Sequence, residues 1–384
     1  MKKLSTQSPR RAAVMAAALA ACATPTVAAL RAFHPGEAWN DTAGNVINAH
    51  GGGILHYNGW YYWFGEDKIA GPLGNTAQVG VHVYASRDLY NWTDRGVALK
   101  VSNDPRSPIH KGCILERPKA LYNARTRRFV MWFHLELNNK QKPGYSAALA
   151  GVAVAEEPTG PYRFLRATRL EAGVWPLAPG SGGRLKRLRG AMNSDPKFLE
   201  RDFRGGQMSR DMTLFDAPDG QAWLISSSEE NRYLHFYELN KDYTGLTRRW
   251  TRFHADKFEH DNEAPALFFR GGNYYLITSG TTGWAPNPAR CFRSPSMWGP
   301  WKYLGNPCRG VTRQVDTTFD SQSTFVLAAP GSHNKFIFMA DRWRPENPID
   351  GRYVWLPIQW EKGKPILRWQ KSWTLRGWPK PNGR

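Results

Sequence analysis

Carboxylates stand at the start of three strongly hydrophobic stretches of the chain. Glu116 precedes the run RPKALY, Asp211 precedes MTLF, and Glu263 precedes APALFF. The basic side chains of Arg117 and Lys119 follow the first of these acids. Neighbouring charges push carboxyl pKa values apart, which acid and base catalysis by paired carboxyls requires. A single charge at a strand end is common, so a catalytic role depends on a fold that brings these acids together.

A run of three glycines follows His50 in the segment NAHGGGILHYNGWYYWFGEDK. An HGGG run can form the anion hole of a lipase, but that site needs a serine on a G-x-S-x-G turn, which this chain lacks. Gly51 and Gly52 are instead predicted to let a ligand or a facing segment approach the backbone closely. His50 is predicted to point a donor into the same site, with a purely structural histidine as the alternative.

The elements that would position these residues are β-hairpins. Five times an apolar run, a turn and a second run rich in aromatic residues recur, each followed by a weaker pair of strands. The turns of the five hairpins are Asn58–Gly59, Asn123–Arg127, Asp219–Gly220, Gly271–Asn273 and Gly331–Asn334. Five units of four strands over about 350 residues, roughly 70 residues each, predict a five-bladed β-propeller. A β-sandwich seldom repeats one double hairpin five times, and a β-helix has a shorter period.

The first strand of each propeller blade lines the central channel, so the residues that open these strands should converge. The segments that open the five predicted first strands are His50–Gly53, Glu116–Lys119, Ser209–Asp211, Glu263–Pro265 and Ser321–Ser323. We therefore expect one polar funnel at the axis, formed by residues far apart in the sequence.

The first thirty residues have the pattern of an export signal, which leaves one propeller domain over residues 31–384. A basic start precedes the apolar stretch Ala12–Ala21 and small residues after it. Arg10–Arg11 also fits the twin-arginine route. Leu19–Cys22 is similar to a bacterial lipobox, in which Cys22 carries the lipid; ordinary cleavage near Ala29 is the alternative. Both predict an exported protein that is periplasmic, secreted or an outer-membrane lipoprotein, with membrane contact only through a lipid at Cys22.

The remaining cysteines and the charge say less about function. Outside the cytoplasm, Cys291 and Cys308 are expected to close one small disulfide loop, with Cys113 buried and free. The net charge of +20 is spread along the chain without a nucleic-acid-binding motif, so no nucleic-acid partner is expected. A basic exported protein is instead expected to favour acidic polymers or anionic cell surfaces. No His or Cys spacing predicts a metal site.

Taken together, these motifs resemble glycoside hydrolase family 43, most closely its exo-β-1,3-galactanase-like branch. The similar segments extend through most of the mature chain and include INAHGGGIL, ERPKALYN, SRDMTLF, EAPALF, YYLITSGTTGWAPN and SQSTFV. The resemblance implies a five-bladed propeller that cleaves terminal glycosidic bonds with inversion. Related branches act on arabinofuranose, galactofuranose or xylose, so these sugars stay as alternatives.

The resemblance also implies roles for individual residues. Glu263 matches the general acid, which needs a raised pKa. Asp211 matches the carboxylate that modulates this pKa. Most of the family has an aspartate base at the start of the first blade, where this chain has Asn48–Gly51 and no acid. Gln322 matches the glutamine thought to position or activate the attacking water in its place, and Glu116 is the alternative base or a substrate contact.

Further residues are expected to contact substrate. They are His50, Gly51, Gly52, Glu66, Arg117, Lys119 and Trp284. Trp284 is the best stacking candidate because it lies in a turn-rich segment, whereas most of the other aromatic residues must fill the space between blades. We expect a monomer acting on an oligo- or polysaccharide that is neutral or acidic. No cofactor is required; the resemblance allows a structural Ca²⁺, for which the sequence offers no D-x-D-x-D-G loop. A non-catalytic carbohydrate-binding propeller is the alternative from another class.

Overall fold

The protein is an all-β propeller. The computed structural model describes residues 28–138, 144–182, 184, 187–188 and 197–379. Most of the predicted export signal, including Arg10–Arg11, Ala12–Ala21 and Cys22, lies outside these residues, and the signal stays a prediction. No helix within the described ranges is both long enough and apolar enough to span a lipid bilayer.

Four of the sheets in the described ranges have four antiparallel strands each, paired in chain order. The first contains β1 (His50–Tyr57), β2 (Trp60–Lys68), β3 (Gln78–Ser86) and β4 (Thr93–Lys100). The second contains β5 (Ile114–Asn123), β6 (Arg128–Glu136), β7 (Leu149–Ala155) and β8 (Arg163–Thr168). The third contains β9 (Met212–Asp216), β10 (Ala222–Ser228), β11 (Tyr233–Leu239) and β12 (Leu246–Arg252). The fourth contains β13 (Glu263–Arg270), β14 (Asn273–Ser279), β15 (Arg290–Ser294) and β16 (Lys302–Gly305).

The remaining strands form two sheets of three strands. One has β18 (Gln322–Ala328), β19 (Phe336–Arg342) and β20 (Arg352–Pro357) in that order. The other has β17 (Cys308–Arg309), β22 (Lys364–Arg368) and β21 (Gln359–Glu361). Short helices are few in the described ranges: α1 (Phe198–Arg201), α2 (Thr312–Asp316) and the 3₁₀ turns Gly74–Thr76 and Pro348–Asp350.

The predicted number of blades is wrong, because the described chain forms six sheets and not five. The last double hairpin of the sequence is divided between the two three-stranded sheets. The pairing of β19 with β20 ends at Ile337 opposite Pro357, and proline has no N–H to continue a ladder. Beyond this point Gln359 pairs with Ile366, and β22 also takes β17 as a parallel neighbour.

The first strands of the five double hairpins surround the axis. β1 packs against β5, β5 against β9, β9 against β13, β13 against β18, and β18 against β1. Hydrophobic clusters fill the wedges between adjacent sheets; one of them contains Trp63, Trp92 and Trp355. Phe33 stacks on Trp373 with ring centroids 4.3 Å apart, which joins the two ends of the described chain. The closed ring is what brings distant strand starts to one place.

The expected disulfide is also wrong. Cys291 and Cys308 are free and buried in the same hydrophobic cluster, and Cys113 is free and buried in another. Burial raises the pKa of the Cys113 and Cys308 thiols to about 12. These cysteines act as small apolar side chains that fill the core.

Candidate active site

The strand starts surround a cavity of about 310 Å³ at one end of the axis. Its walls combine carboxylates, guanidinium groups, amides and indole rings. The cavity is lined by Glu66, Asn75, Glu116, Arg117, His134, Tyr145, Arg210, Asp211, Asn231, Glu263, Gly283, Trp284, Gln322 and Trp343. The predicted catalytic residues Glu263, Asp211, Gln322 and Glu116 are therefore brought together.

β-Bulges turn the strand starts toward this cavity. The registers of β1, β5, β13 and β18 all shift within their first few residues. Inside the shifted segments of three of these strands, Gly51, Arg117 and Ala264 have positive φ values of 64°, 55° and 53°. A bulge redirects the side chains beside it. The polar residues at the strand starts consequently leave the regular alternation of the sheet.

Each of these left-handed residues donates its backbone N–H to a carboxylate from elsewhere in the ring. The Gly51 N–H bonds Asp341 at 2.5 Å, the Arg117 N–H bonds Glu66 at 3.1 Å, and the Ala264 N–H bonds Asp211 at 3.0 Å. The donors would otherwise be buried without a partner, at a cost of about 1–3 kcal/mol each. These carboxylates thus support the bulges as well as the cavity wall.

Arg117 links the other polar groups of the cavity. Its Nε and Nη2 donate to the two oxygens of Asp211 at 3.1 and 2.8 Å. Nη2 also lies 2.6 Å from Gln322 Oε1, and Nη1 donates to the Ser323 carbonyl oxygen at 3.1 Å. The side chain of Arg117 is almost wholly buried, so its charge acts in a medium of low polarity.

Glu263 has the environment that a general acid needs. Burial raises its pKa to about 8, and the nearby charge of Asp211 adds to this effect. Arg117 and a 2.6 Å hydrogen bond from Asn231 Nδ2 to Glu263 Oε1 oppose it. The carboxyl group is therefore largely protonated at neutral pH. It can deliver a proton to a leaving oxygen without an external acid.

Gln322 is held at both ends of its amide. Oε1 accepts from Arg117 Nη2 and from Trp343 Nε1 at 2.9 Å, and Nε2 donates to Ser279 Oγ at 2.9 Å. Both lone pairs of the amide oxygen are thus in use. In this arrangement Gln322 can orient a water through its second N–H, but its oxygen is poorly placed to accept a proton.

Glu116 is kept ionised by its neighbours. Burial alone would raise its pKa, but the hydrogen bond and positive charge of His134 lower the pKa to about 2. His134 Nδ1 lies 3.0 Å from Glu116 Oε2, and its Nε2 lies 2.9 Å from Glu136 Oε1. Tyr145 donates its hydroxyl to Glu116 Oε1 at 2.7 Å. Burial disfavours charge on His134, yet the two carboxylates raise its pKa to about 9.

Glu66 lines the cavity but is only 1% exposed. Its Oε2 forms an ion pair of 2.8 Å with Lys68 Nζ, and its Oε1 accepts the Arg117 N–H. Burial raises the pKa of Glu66, and Lys68 opposes the rise. Contact with a substrate is limited to the edge of this carboxylate.

Four of the predicted substrate contacts are not among the cavity-lining residues. His50 is 2% exposed and stacks on Tyr353, with ring centroids 4.9 Å apart, so the expectation that it points a donor into the funnel is corrected. Lys119 is buried and donates from Nζ to the Gly51 carbonyl oxygen at 2.8 Å. Gly51 and Gly52 admit neighbouring protein atoms and not a ligand: added Cβ atoms would lie 2.1 Å from Glu66 Oε1 and 1.9 Å from the Phe64 carbonyl oxygen.

Trp284 is placed as the sequence predicts. It lines the cavity, is 41% exposed, and meets Trp343 edge to face with centroids 5.6 Å apart. The guanidinium of Arg117 lies 5.1 Å from the centre of the Trp343 ring. The indole of Trp284 is consequently held by a neighbour, and its stacking on a sugar stays a prediction.

Sequence reasoning missed several lining residues. Asn75 and Tyr145 lie in connecting segments, and His134 lies near the end of a second strand, so none opens a first strand. Asn231 ends the run SSSEEN, in which Glu229, Glu230 and Asn231 all have positive φ. The two acids followed by asparagine between strands were the available signal, because asparagine tolerates this conformation.

No group of three His, Cys, Asp or Glu side chains is placed to hold a metal ion in the part of the chain that the structure describes. The structure therefore adds no such ligand set for the Ca²⁺ that the resemblance allows.

Comparisons with known proteins identify the family. The profile of glycosyl hydrolases family 43 matches residues 194–365. A solved family 43 β-1,3-galactosidase with bound galactodeoxynojirimycin is 45% identical, covers 89% of this chain and 100% of its own, and superimposes with a TM-score of 0.79. The chain belongs to glycoside hydrolase family 43. As a member of this family, it is an inverting glycoside hydrolase.

Two further family 43 structures are similar over most of this enzyme. The exo-β-1,3-galactanase of Phanerochaete chrysosporium, solved with β-1,3-galactotriose, is 31% identical, with a TM-score of 0.71 and coverage of 89% of this chain and 68% of its own. The exo-β-1,3-galactanase of Clostridium thermocellum is 34% identical, with a TM-score of 0.70 and coverage of 89% and 66%. Among curated proteins, none matches this family 43 enzyme.

Proposed function

We propose that this family 43 enzyme is exo-acting and releases terminal galactose from β-1,3-galactan. The observation that carries the reaction is the position of the Glu263 carboxyl on the wall of the cavity, where burial and the nearby charge of Asp211 raise its pKa to about 8. Similarity to a β-1,3-galactosidase over the full length of that protein supports the choice of sugar. Arabinofuranose, galactofuranose and xylose remain the sugars against which the proposal is tested.

In the proposed mechanism, Glu263 gives its proton to the glycosidic oxygen as the bond from that oxygen to the anomeric carbon breaks. A water on the opposite face of the sugar forms the new bond to the same carbon, and its own proton passes to a base. Burial raises the pKa of Glu263, and the negative charge of Asp211, which Arg117 holds in place, adds to the rise. The sugar product carries the opposite anomeric configuration.

We assign Glu116 as the base that accepts the proton of the water, and Gln322 as the residue that orients this water. Both lone pairs of the Gln322 oxygen are engaged, which favours a donor role for that amide. His134 lowers the pKa of Glu116 to about 2, which favours the ionised carboxylate, and this carboxylate retains unused lone pairs. A carboxylate with a low pKa is a weak base, so the transfer belongs late in the reaction, when bonding to the anomeric carbon has made the water acidic.

The test is product analysis on β-1,3-galactobiose and β-1,3-galactotriose. We expect galactose as the released sugar, with the α-anomer appearing first in the proton NMR spectrum. A panel of aryl glycosides of galactopyranose, galactofuranose, arabinofuranose and xylose provides the comparison. Faster turnover of one of the last three would overturn the sugar assignment, and oligosaccharide binding with no sugar released would make the protein a carbohydrate-binding propeller.

Export is part of the same proposal, since a polysaccharide is met outside the cytoplasm. Mass spectrometry of the mature amino terminus distinguishes the two predicted cleavages. A diacylglycerol at Cys22 would identify a lipoprotein, and an unmodified terminus near residue 30 would identify ordinary secretion.

A further inference from the structure

A second cavity, of about 230 Å³, adjoins the active site. Gln322, Trp284 and Trp343 line both cavities, so the edge-to-face indole pair is the partition between them. Gly283 also lines both cavities, so a polysaccharide bound in the first cavity lies directly beside the second. The proposed catalytic mechanism makes no use of this space.

Arginines dominate the far wall of the second cavity. Arg313, Arg342 and Arg344 line it, together with the carboxylates of Asp320 and Asp341. Asp320 lies 3.7 Å from Arg313 in an exposed ion pair. Asp341 is buried, accepts the Gly51 N–H, and lies 3.8 Å from His50 Nδ1. Both acids are therefore committed to other groups.

Arg342 and Arg344 form no ion pair with any carboxylate in the described part of the chain. Arg342 is fixed: Nε and Nη2 both donate to the Phe319 carbonyl oxygen at 3.2 and 3.0 Å, and its guanidinium lies 5.1 Å from the Trp369 ring centre. Arg344 donates to the carbonyl oxygen of Trp343 at 2.9 Å. Burial lowers the pKa of Arg342, and the charge of Arg344 adds to the lowering while Asp320 opposes it.

Arg342 and Arg344 repel each other, and the three arginines of the cavity outnumber its two carboxylates. This excess of positive charge favours a bound anion. The planar fork of arginine matches the two oxygens of a carboxylate. Nε and Nη2 of Arg342 are taken by the Phe319 carbonyl oxygen, whereas Arg344 donates to Trp343 from Nη1, so Arg344 is the residue that offers its fork. The fixed position of Arg342 also reduces the entropy that binding must overcome. The net charge of +20 over the whole chain also favours binding of acidic polymers.

We propose that this second cavity binds a carboxylate-bearing sugar of the polysaccharide, a uronic acid linked to the galactan that the active site cleaves. The inference rests on the proposed function, because it gives the enzyme a preference among galactans. The indole partition then separates the site of bond cleavage from the site of charge recognition.

The test measures binding of a β-1,3-galactan oligosaccharide that carries a hexuronic acid branch, and of the same oligosaccharide after reduction of its carboxyl to an alcohol. Glu263→Gln serves as the background so that neither ligand is hydrolysed. We expect the acidic form to bind more tightly, and Arg344→Gln to weaken its binding by about three- to tenfold with little change for the reduced form. Added salt should reduce the difference between the two ligands.

Arg106→Gln is the matched control, because Arg106 is an exposed arginine paired with Asp104 on the loop after β4. It should leave both affinities unchanged. Equal binding of the acidic ligand by the Arg344→Gln protein and its parent overturns the inference, as does an equal loss for both ligands. Failure of the unsubstituted enzyme to hydrolyse the reduced oligosaccharide instead overturns the proposed function, since that ligand carries no charge for the second cavity.

Discussion

The guanidinium of Arg117 donates two hydrogen bonds, of 3.1 and 2.8 Å, to the carboxylate of Asp211. The two residues are 94 positions apart in the sequence and meet only because their strand starts face the same axis. The pair fixes a negative charge near Glu263 and, through the second contact of Arg117, the amide of Gln322. One buried cation thereby organises the acid, its modulator and the water-orienting group.

Replacement of Arg117 by lysine should separate these groups. Lysine is a point charge that cannot donate in parallel to both oxygens of Asp211. Removal of one partner of a buried pair costs about 3–5 kcal/mol, but lysine keeps the positive charge and loses only the paired hydrogen bonds. We therefore expect a smaller loss, of about 1–3 kcal/mol, in the free energy of unfolding, together with a lower kcat. Urea denaturation and initial rates measure the two effects. Arg106→Lys is the exposed control and should change neither; an Arg117→Lys enzyme with full activity would contradict the organising role.

The pH dependence should show the ionisation of Glu263. The acid works only when protonated, and its pKa is raised to about 8, so kcat/KM should be level below that pH and fall above it. The same shift affects stability: the folded state binds the extra proton above pH 4.5, and this stabilisation is lost as pH rises toward 8. The melting temperature of Glu263→Gln, relative to the unsubstituted protein, should therefore increase over that interval. A relative melting temperature independent of pH would refute the raised pKa.

His134 should control the acidic side of the same profile. The charge of His134 holds the pKa of Glu116 near 2. Protonation of Glu116 should therefore not lower kcat/KM of the unsubstituted enzyme above about pH 3. His134→Gln removes the charge, and a new acidic limb should appear at higher pH if Glu116 accepts the proton of the water. Tyr145→Phe is the comparison, since it removes a hydrogen bond to Glu116 without removing a charge. An unchanged profile shape in His134→Gln would exclude Glu116 as the base, whatever the loss of stability.

The glycines after His50 should be needed for packing. A Cβ on Gly52 would lie 1.9 Å from the carbonyl oxygen of Phe64, a backbone atom that cannot turn aside. Gly52→Ala should destabilise the protein by about 1–3 kcal/mol or more, measured by thermal or urea unfolding. Gly205→Ala is the control: its φ is not in the left-handed region and no heavy atom lies within 4 Å of the added Cβ, so a change within about 0.5 kcal/mol is expected. Equal stability of the two variants would count against the packing role.

The sequence was sufficient to predict the residues that open first strands, because the repeat of the hairpins gives their places in the ring. Glu116, Asp211, Glu263 and Gln322 reach one cavity for this reason. Asn231 and Tyr145 were missed because they lie in connecting segments, whose course over the ring no repeat predicts. The repeat of the hairpins also does not predict the direction in which a side chain points. A β-bulge follows His50, and its imidazole lies against Tyr353 instead of facing the cavity.

The number of sheets could not be predicted from the repeat of the hairpins, because it depends on local features of the last part of the chain. Pro357 interrupts the ladder of β20, and the short strand at Cys308 adds to β22 by parallel pairing. The disulfide prediction failed on geometry as well, since the spacing of Cys291 and Cys308 in the sequence says nothing about the directions of their Cβ atoms.

The most direct test of the account compares Glu263→Gln with the unsubstituted enzyme on two galactosides, β-1,3-galactobiose and 2,4-dinitrophenyl β-galactoside. A sugar alcohol leaves only with the help of an acid, whereas dinitrophenolate leaves without one. We predict that kcat on galactobiose falls by about 10²–10⁴-fold in the variant, with binding retained, while kcat on the dinitrophenyl substrate is largely preserved. Equal losses on the two substrates, or full activity on galactobiose, would contradict the assignment of Glu263 as the general acid.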